Sequence, residues 1–328
     1  MTRFFCRRLA SKAVALACLL AAFTGSAAFA DDPYPSRPLR LIVAYPAGGG
    51  TDVMARLYAE QLEARLKQRV IVENRVGGGG ILGANAVAKA PTDGYTLLFS
   101  AISELTVPSL LAKEIPYSLA DFRPIGRIAH SPFALIVGRD FPATTFAEFK
   151  TATEQRPTPT MLSASANYSA LTGGLFKLQS GFNLSPIRYR GSAQVLVDLM
   201  GGHVHAGFET IAITLPQAKD GGVKMLAIAA EKRSPLAPEI PTLGEVGYPN
   251  VIGGAWYGVL VPKDTTPDVV ELLERTTTAI LASQDFRSDL TKQGFDPYPD
   301  DTPAAFGRFL EDEKVKWEAV ADKVGLRP

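Results

Sequence analysis

The sequence predicts an α/β protein of two lobes, with the chain crossing between them twice. Three observations carry this. Short apolar, strand-like runs alternate with helix-patterned segments from Leu39 onward, the signature of parallel sheets with right-handed crossovers. About 300 residues follow an export leader, more than one hydrophobic core usually holds. The alternation restarts after Phe122-Arg123-Pro124 with no low-complexity tract or linker. The lobes are therefore expected to be intertwined: residues 31–130 with 252–328, and residues 131–251, with crossings near 130 and 252.

The leader occupies residues 1–30. Arg3, Arg7, Arg8 and Lys12 precede an apolar run from Ala13 to Phe23, and Ala28-Phe29-Ala30 fits a cleavage site after Ala30. The run is too short to serve as a comfortable membrane span. Arg7-Arg8 fits a twin-arginine signal poorly, and Cys18 fits a lipid-attachment site poorly. Cleavage removes both cysteines, Cys6 and Cys18, and with them disulfide and thiol chemistry. The leader holds four of the 34 basic residues and none of the 33 acidic ones, so the remainder carries a net charge of −3 rather than +1. With no polybasic patch, nucleic acid and anionic membrane surfaces are poor candidates as partners.

Leu39 to Ala44 reads as the first strand, followed by a helix over 52–66 with Val53, Leu57, Ala59 and Leu62 on its apolar stripe. Val70 to Glu73 is a second strand, Ile81 to Ala90 a helix of small residues and Tyr95 to Phe99 a third strand. In the second half, strands are expected at 125–129, 133–137, 161–164, 187–189, 204–209 and 225–229, and helices at 146–155, 168–179 and 193–200. The end is helical: 268–281, 286–293 and 303–323.

The first strand runs into Tyr45-Pro46-Ala47-Gly48-Gly49-Gly50-Thr51-Asp52. Consecutive glycines at a helix start leave backbone N–H groups bare, and the helix dipole favours a carboxylate or phosphate there. A second glycine turn, Gly77 to Gly80, contains Gly78-x-Gly80-x-x-Gly83 between strand and helix, a weak dinucleotide fingerprint. The acidic residue expected at the end of the next strand is missing, since Phe99 leads into Ser100-Ala101-Ile102. An exported nucleotide-dependent oxidoreductase is the alternative reading. Asp52 is expected to cap the helix or pair with Arg56. His203 and His205 could share a metal, but a solvated pair at a strand entrance is preferred. No Gly-x-Ser-x-Gly elbow exists. Further small-residue turns end strands at Ser100–Ser103, Ser163–Ser169, Tyr189–Ser192 and Glu209-Thr210, where α/β sheets bind ligands. Turns from both lobes are expected to converge on one cleft.

Seven segments in order resemble the tripartite tricarboxylate transporter substrate-receptor family, also called Bug proteins. They start at Tyr34 (YPSRPLRLIV), Tyr45 (YPAGGGTD), Val72 (VENRVGGGG), Asp93 (DGYTLL), Tyr189 (YRGS), Asp198 (DLMGGHV) and Pro241 (PTLGEVG). The resemblance implies a two-lobed periplasmic binding protein of type II, a Venus-flytrap receptor without catalysis or cofactor. Its partners would be a small carboxylate and the transmembrane permease subunits, and it is expected to be a monomer. From the first lobe the ligand residues implied are Ala47, Gly48, Gly49, Gly50, Thr51, Asp52, Gly79, Gly80 and Ala84, with Ser100 added from the turn reading. From the second they are Ser165, Asn167, Tyr168, Ser169, Gly191 and Ser192. Two positions depart from the family's pattern: Ala170 replaces a His, and Glu209 replaces an Asp. Both are expected to face the far end of a ligand. Tyr168 and Trp256 are expected to cover its apolar part, with packing of the hinge an equal reading for Trp256.

Overall fold

A computed structural model describes residues 33–108, 114–298 and 301–325. The leader, its cleavage site and both cysteines lie outside the described residues. Arg37–Pro328 form one compact unit, to which the elements below belong.

The strands are β1 (Leu39–Val43), β2 (Val70–Asn74), β3 (Thr96–Ser100), β4 (Phe122–Gly138), β5 (Thr160–Ala164), β6 (Leu184–Arg188), β7 (Ala206–Thr210), β8 (Val223–Ile228), β9 (Gly254–Pro262) and β10 (Asp296–Pro297). The helices are α1 (Gly50–Leu66), α2 (Ile81–Ala88), α3 (Ser103–Thr106), α4 (Phe146–Gln155), α5 (Asn167–Ser180), α6 (Ser192–Met200), α7 (Ile211–Lys219), α8 (Pro267–Ala282), α9 (Gln284–Lys292) and α10 (Pro303–Val324). No helix among the described residues is long and apolar enough to cross a membrane.

β1 pairs in parallel with β2 and β3, and β9 runs antiparallel between β3 and the first part of β4. The last part of β4 then leaves this sheet and pairs antiparallel with β7 and β8, while β5 lies parallel between β7 and β6. One long strand is thus shared by both sheets, and the pattern read as two strands is a single one. The switch falls at Pro132, opposite Gly254, and Phe133 opens the pairing with β7. Pro132 supplies no ladder donor, so a sheet boundary is where it can be tolerated. From Phe133 to Val137 the strand is buried on both faces. Phe133, Leu135 and Val137 join one core, while Ala134 and Ile136 join another. A third core fills the first lobe around Ile42, Leu98, Leu260 and Phe306.

Three local features differ from the sequence reading. The buried face of α1 is Met54, Ala55, Tyr58, Ala59 and Leu62; Val53 and Leu57 are only half-buried, because Tyr58 turns inward to bond Thr277 (2.7 Å). Helix α7 was not expected because Pro216 lies inside it, where the ring removes an intrahelical donor. Strand β9 was hidden by Gly254 and Gly258. Both glycines mark close approach: a Cβ on Gly254 would lie 2.8 Å from the Ser131 carbonyl, and one on Gly258 would collide with the Phe306 ring.

Candidate functional site

Five strands deliver their carboxyl ends to one cavity of about 250 Å³. From the first lobe come the turn after β1 and the start of α3, and from the second the turns after β5, β6 and β7. This is the crevice position that open α/β sheets use for ligands.

The turn after β1 is latched from behind by Asp52. Its carboxylate accepts the Gly48 N–H (3.0 Å), two guanidinium bonds from Arg56 (2.9 Å each) and the Asn74 amide (2.9 Å), while the same Asn74 nitrogen holds the Tyr45 carbonyl (2.9 Å). Burial pushes the Asp52 carboxyl up; the bonds from Arg56, Gly48 and Asn74 more than offset it and leave it below its ordinary value. Asp52 therefore shapes the loop, and neither it nor Gly48, whose φ is +79°, lies on the cavity wall. In front of the latch, Ala47, Gly49, Gly50 and Thr51 do line the cavity. Helix α1 begins there with no side-chain cap, so the first-turn N–H groups have no intrahelical acceptor and point at the cavity. Only glycine fits at Gly50, because a Cβ would sit 2.8 Å from the Tyr257 hydroxyl.

The second lobe brings two more helix starts. Ala166 and Tyr168 at α5, and Gly191, Ser192, Ala193 and Gln194 at α6, lie on the opposite wall. Three helix N-termini facing one space make it favourable for an anion without a buried cation. Arg190 is the one cationic residue on the wall, and it is exposed. Gly191 comes close to the facing turn, since a Cβ there would lie 3.1 Å from Pro46 Cγ. Tyr168 is fixed by a 2.7 Å bond to Thr106 and by stacking on Trp317 at 5.0 Å.

Glu209 ends β7 on this wall and is 1% exposed. Its Oε1 has no hydrogen-bond partner. Burial raises its pKa to about 7, opposed by the Ser165 and Ser192 hydroxyls beside it. Glu104 is a second buried carboxyl, behind the wall. It accepts bonds from Ser100 (2.8 Å), the Ala101 N–H (3.2 Å) and Tyr45 (3.3 Å), and burial raises it too. That network also ties the Tyr45 hydroxyl to Ser103 (2.9 Å).

The second glycine turn faces a neighbouring chamber of about 610 Å³, lined by Gly77–Gly80, Asn167 and Arg188, with Tyr45, Ser165, Ala166 and Arg190 common to both spaces. Gly77 to Gly80 all have positive φ, and a Cβ on Gly83 would lie 2.7 Å from Ala44 Cα. Backbone geometry alone thus accounts for the dinucleotide-like spacing.

The expected residues accordingly divide. Ala47, Gly49, Gly50, Thr51, Ser165, Tyr168, Gly191, Ser192 and Glu209 line the cavity; Gly79, Gly80 and Asn167 line the adjoining chamber. Ala84 is buried in the first-lobe core. Ser100 bonds Glu104, and Ser169 caps α5 through Ala166 (3.1 Å). Trp256 stacks on His130 at 4.6 Å and meets Phe309 at 4.8 Å, away from the wall. Ala170 fronts a third space beside α5, not the cavity. His205 Nδ1 accepts the Met161 N–H (2.9 Å), His203 is exposed, and no metal-holding group of three exists among the described residues. Sequence reasoning did not single out Tyr45, Phe133 and Tyr257, while Ser103 and Arg190 lie within turns it named as ligand-binding. Tyr45 sits inside a quoted motif and was within reach; Phe133 and Tyr257 are apolar strand positions with no local signal.

Comparison with known proteins agrees with this architecture. BugT of Bordetella pertussis is 36% identical over 303 residues, covering 90% of this chain and 92% of BugT. An R. palustris protein solved with adipate superposes with a TM-score of 0.86 at 33% identity, covering 90% of this chain and 99% of that one. The periplasmic binding protein BugD gives a TM-score of 0.84 at 32% identity with the same coverage. Residues 54–326 match the sequence model described as the tripartite tricarboxylate transporter family receptor, so with its two sheets, shared strand and crevice this chain belongs to that receptor family.

Proposed function

We propose that this chain captures a small carboxylate in the periplasm and presents it to the permease subunits of a tripartite tricarboxylate transporter, without transforming it. The observation that carries this reading is the convergence of three helix N-termini on one small cavity whose only cationic residue is exposed. One carboxylate docks on the N–H groups around Gly49, Gly50 and Thr51, and the second lobe closes over it. Charge-assisted N–H bonds contribute about 1.5–3 kcal/mol each, so a few support roughly micromolar binding once ordering costs are subtracted. The adipate bound in the R. palustris relative supports a carboxylate ligand. The lobes, residues 31–130 with 252–328 and residues 131–251, hinge where β4 and β9 cross, and the end of α10, whose Trp317 and Ala321 pack in the second core, moves with the second lobe. Cleavage after Ala30 releases the receptor, which acts as a monomer.

The oxidoreductase alternative draws no support, because the glycine spacing on which it rests follows from turn geometry and the close packing of Gly83. A thermal-shift panel of small carboxylates tests the proposal, with Gly49→Val as control. Gly49 has φ −81° and ψ 167°, extended values that valine adopts readily, and an added Cβ meets only the Pro46 carbonyl at 3.5 Å. The expected outcome is ligand stabilisation in the native chain and its loss in a folded Gly49→Val. Equal shifts in both would remove the turn from the site.

A further inference from the structure

Glu209 carries a property that carboxylate capture does not require. A small anion is already provided for by bare N–H groups and three helix dipoles. Yet the same cavity contains a glutamate that is 1% exposed and has one oxygen with no partner. Glu209 forms no ion pair among the described residues, and Arg190, the only cation on the wall, stays exposed. The neighbouring groups are neutral: the Ser165 and Ser192 hydroxyls lie beside the carboxyl, and the Tyr257 phenol, also on the wall, is pushed further up by burial and by the charge of Glu209. A buried carboxylate left this way is costly unless something compensates its charge.

We propose that Glu209 determines specificity in the distal half of the cavity by pairing with an ammonium group, so that the receptor takes a carboxylate that also carries an amine. This inference rests on the carboxylate-binding reading above and narrows its ligand class. The ligand's anion sits at the helix N-termini, its ammonium meets the unpartnered Oε1, and the serine hydroxyls accept the remaining N–H bonds. Such a ligand brings no net charge and supplies Glu209 with its missing counter-ion. A dicarboxylate would instead place a second anion against Glu209 and could bind only by sharing a proton with it.

The two cases have opposite pH dependence. Burial holds Glu209 near pH 7, so pairing with an ammonium requires loss of its proton and affinity rises as pH rises through 7. A dicarboxylate requires the proton, and its affinity falls over the same interval.

The experiment is isothermal titration of the purified chain with three matched series: glycine, beta-alanine and gamma-aminobutyrate; malonate, succinate and glutarate; acetate, propanoate and butanoate. The common L-amino acids are added, and each titration is repeated on either side of pH 7. The expected result is preference for an aminated ligand, tighter binding at the higher pH and proton release on binding. In Glu209→Gln, affinity for that ligand should fall about tenfold to a hundredfold and its pH dependence should vanish. Dicarboxylates favoured below pH 7, or a ranking unchanged by Glu209→Gln, would overturn the proposal and leave carboxylate capture standing. A folded chain that binds none of the series would overturn both.

Discussion

Asp52 and Glu209 are both nearly buried, and their surroundings drive them in opposite directions. Asp52 accepts bonds from Arg56, Gly48 and Asn74 and lies below its ordinary value; Glu209 lacks a cation and rises to about 7. The first is spent on structure and the second is held available. The raised acid has a thermodynamic consequence. Its folded value exceeds its ordinary 4.5, so the stability it contributes is fully present below pH 4.5 and is lost as pH rises through about 7. Glu209→Gln should remove that loss, making the free protein more stable above pH 7 by roughly 3 kcal/mol relative to its own low-pH value than the native chain is. Urea unfolding of both proteins at several pH values checks this, and parallel stability–pH curves would show that Glu209 is solvated.

Among elements, β9 shows how glycine records the approach of a distant helix. Gly258 stands in mid-strand opposite Arg127, and a Cβ would collide with the ring of Phe306, near the start of α10. Gly258→Ala is expected to destabilise by about 1–3 kcal/mol through overpacking. Adding Phe306→Leu should recover part of the loss, and a double-mutant cycle measures the coupling. Additive effects would show that the two positions do not meet. Helix α10 itself has a role no periodicity announces. Phe306 and Leu310 belong to the first-lobe core, while Trp317 and Ala321 belong to the second, where Trp317 stacks on Tyr168 of the cavity wall. It straps the lobes together in addition to the two strand crossings. The sequence displayed an amphipathic helix at 303–323 but not which cores it joins, since an apolar stripe specifies a face and not a neighbour.

At the scale of the molecule, ligand capture depends on how closely the facing turns approach. Gly191 is fully extended, a conformation any residue adopts, and its absent Cβ leaves room for Pro46. Gly191→Val should therefore fold normally and act as a wedge. The expected outcome is weaker carboxylate binding with unchanged thermal stability of the free protein, and a larger radius of gyration in small-angle scattering with ligand present. Native-like affinity would mean that closure does not bring these turns together. The crossings are built for little backbone freedom: a Cβ on Gly253 would collide with the Thr172 side chain, and one on Gly254 would press on Ser131 and Pro132. Motion there is expected as rotation of intact strands rather than local unfolding.

The alternation of strands and helices, the glycine turn after β1 and the family's ordered segments were legible in the sequence because each is set by local periodicity or backbone geometry. Tertiary structure decided what no local pattern encodes. It merged two strands into the shared β4, brought Asn74 onto the Asp52–Arg56 pair that the sequence had offered and assigned the two glycine turns to different chambers. It carried Ala84 and Trp256 away from the cavity and left Glu209 buried without a counter-ion. The physical reason is common to all of these: burial, pairing and the choice of neighbour depend on residues far apart in the chain, and only the folded chain brings those residues together.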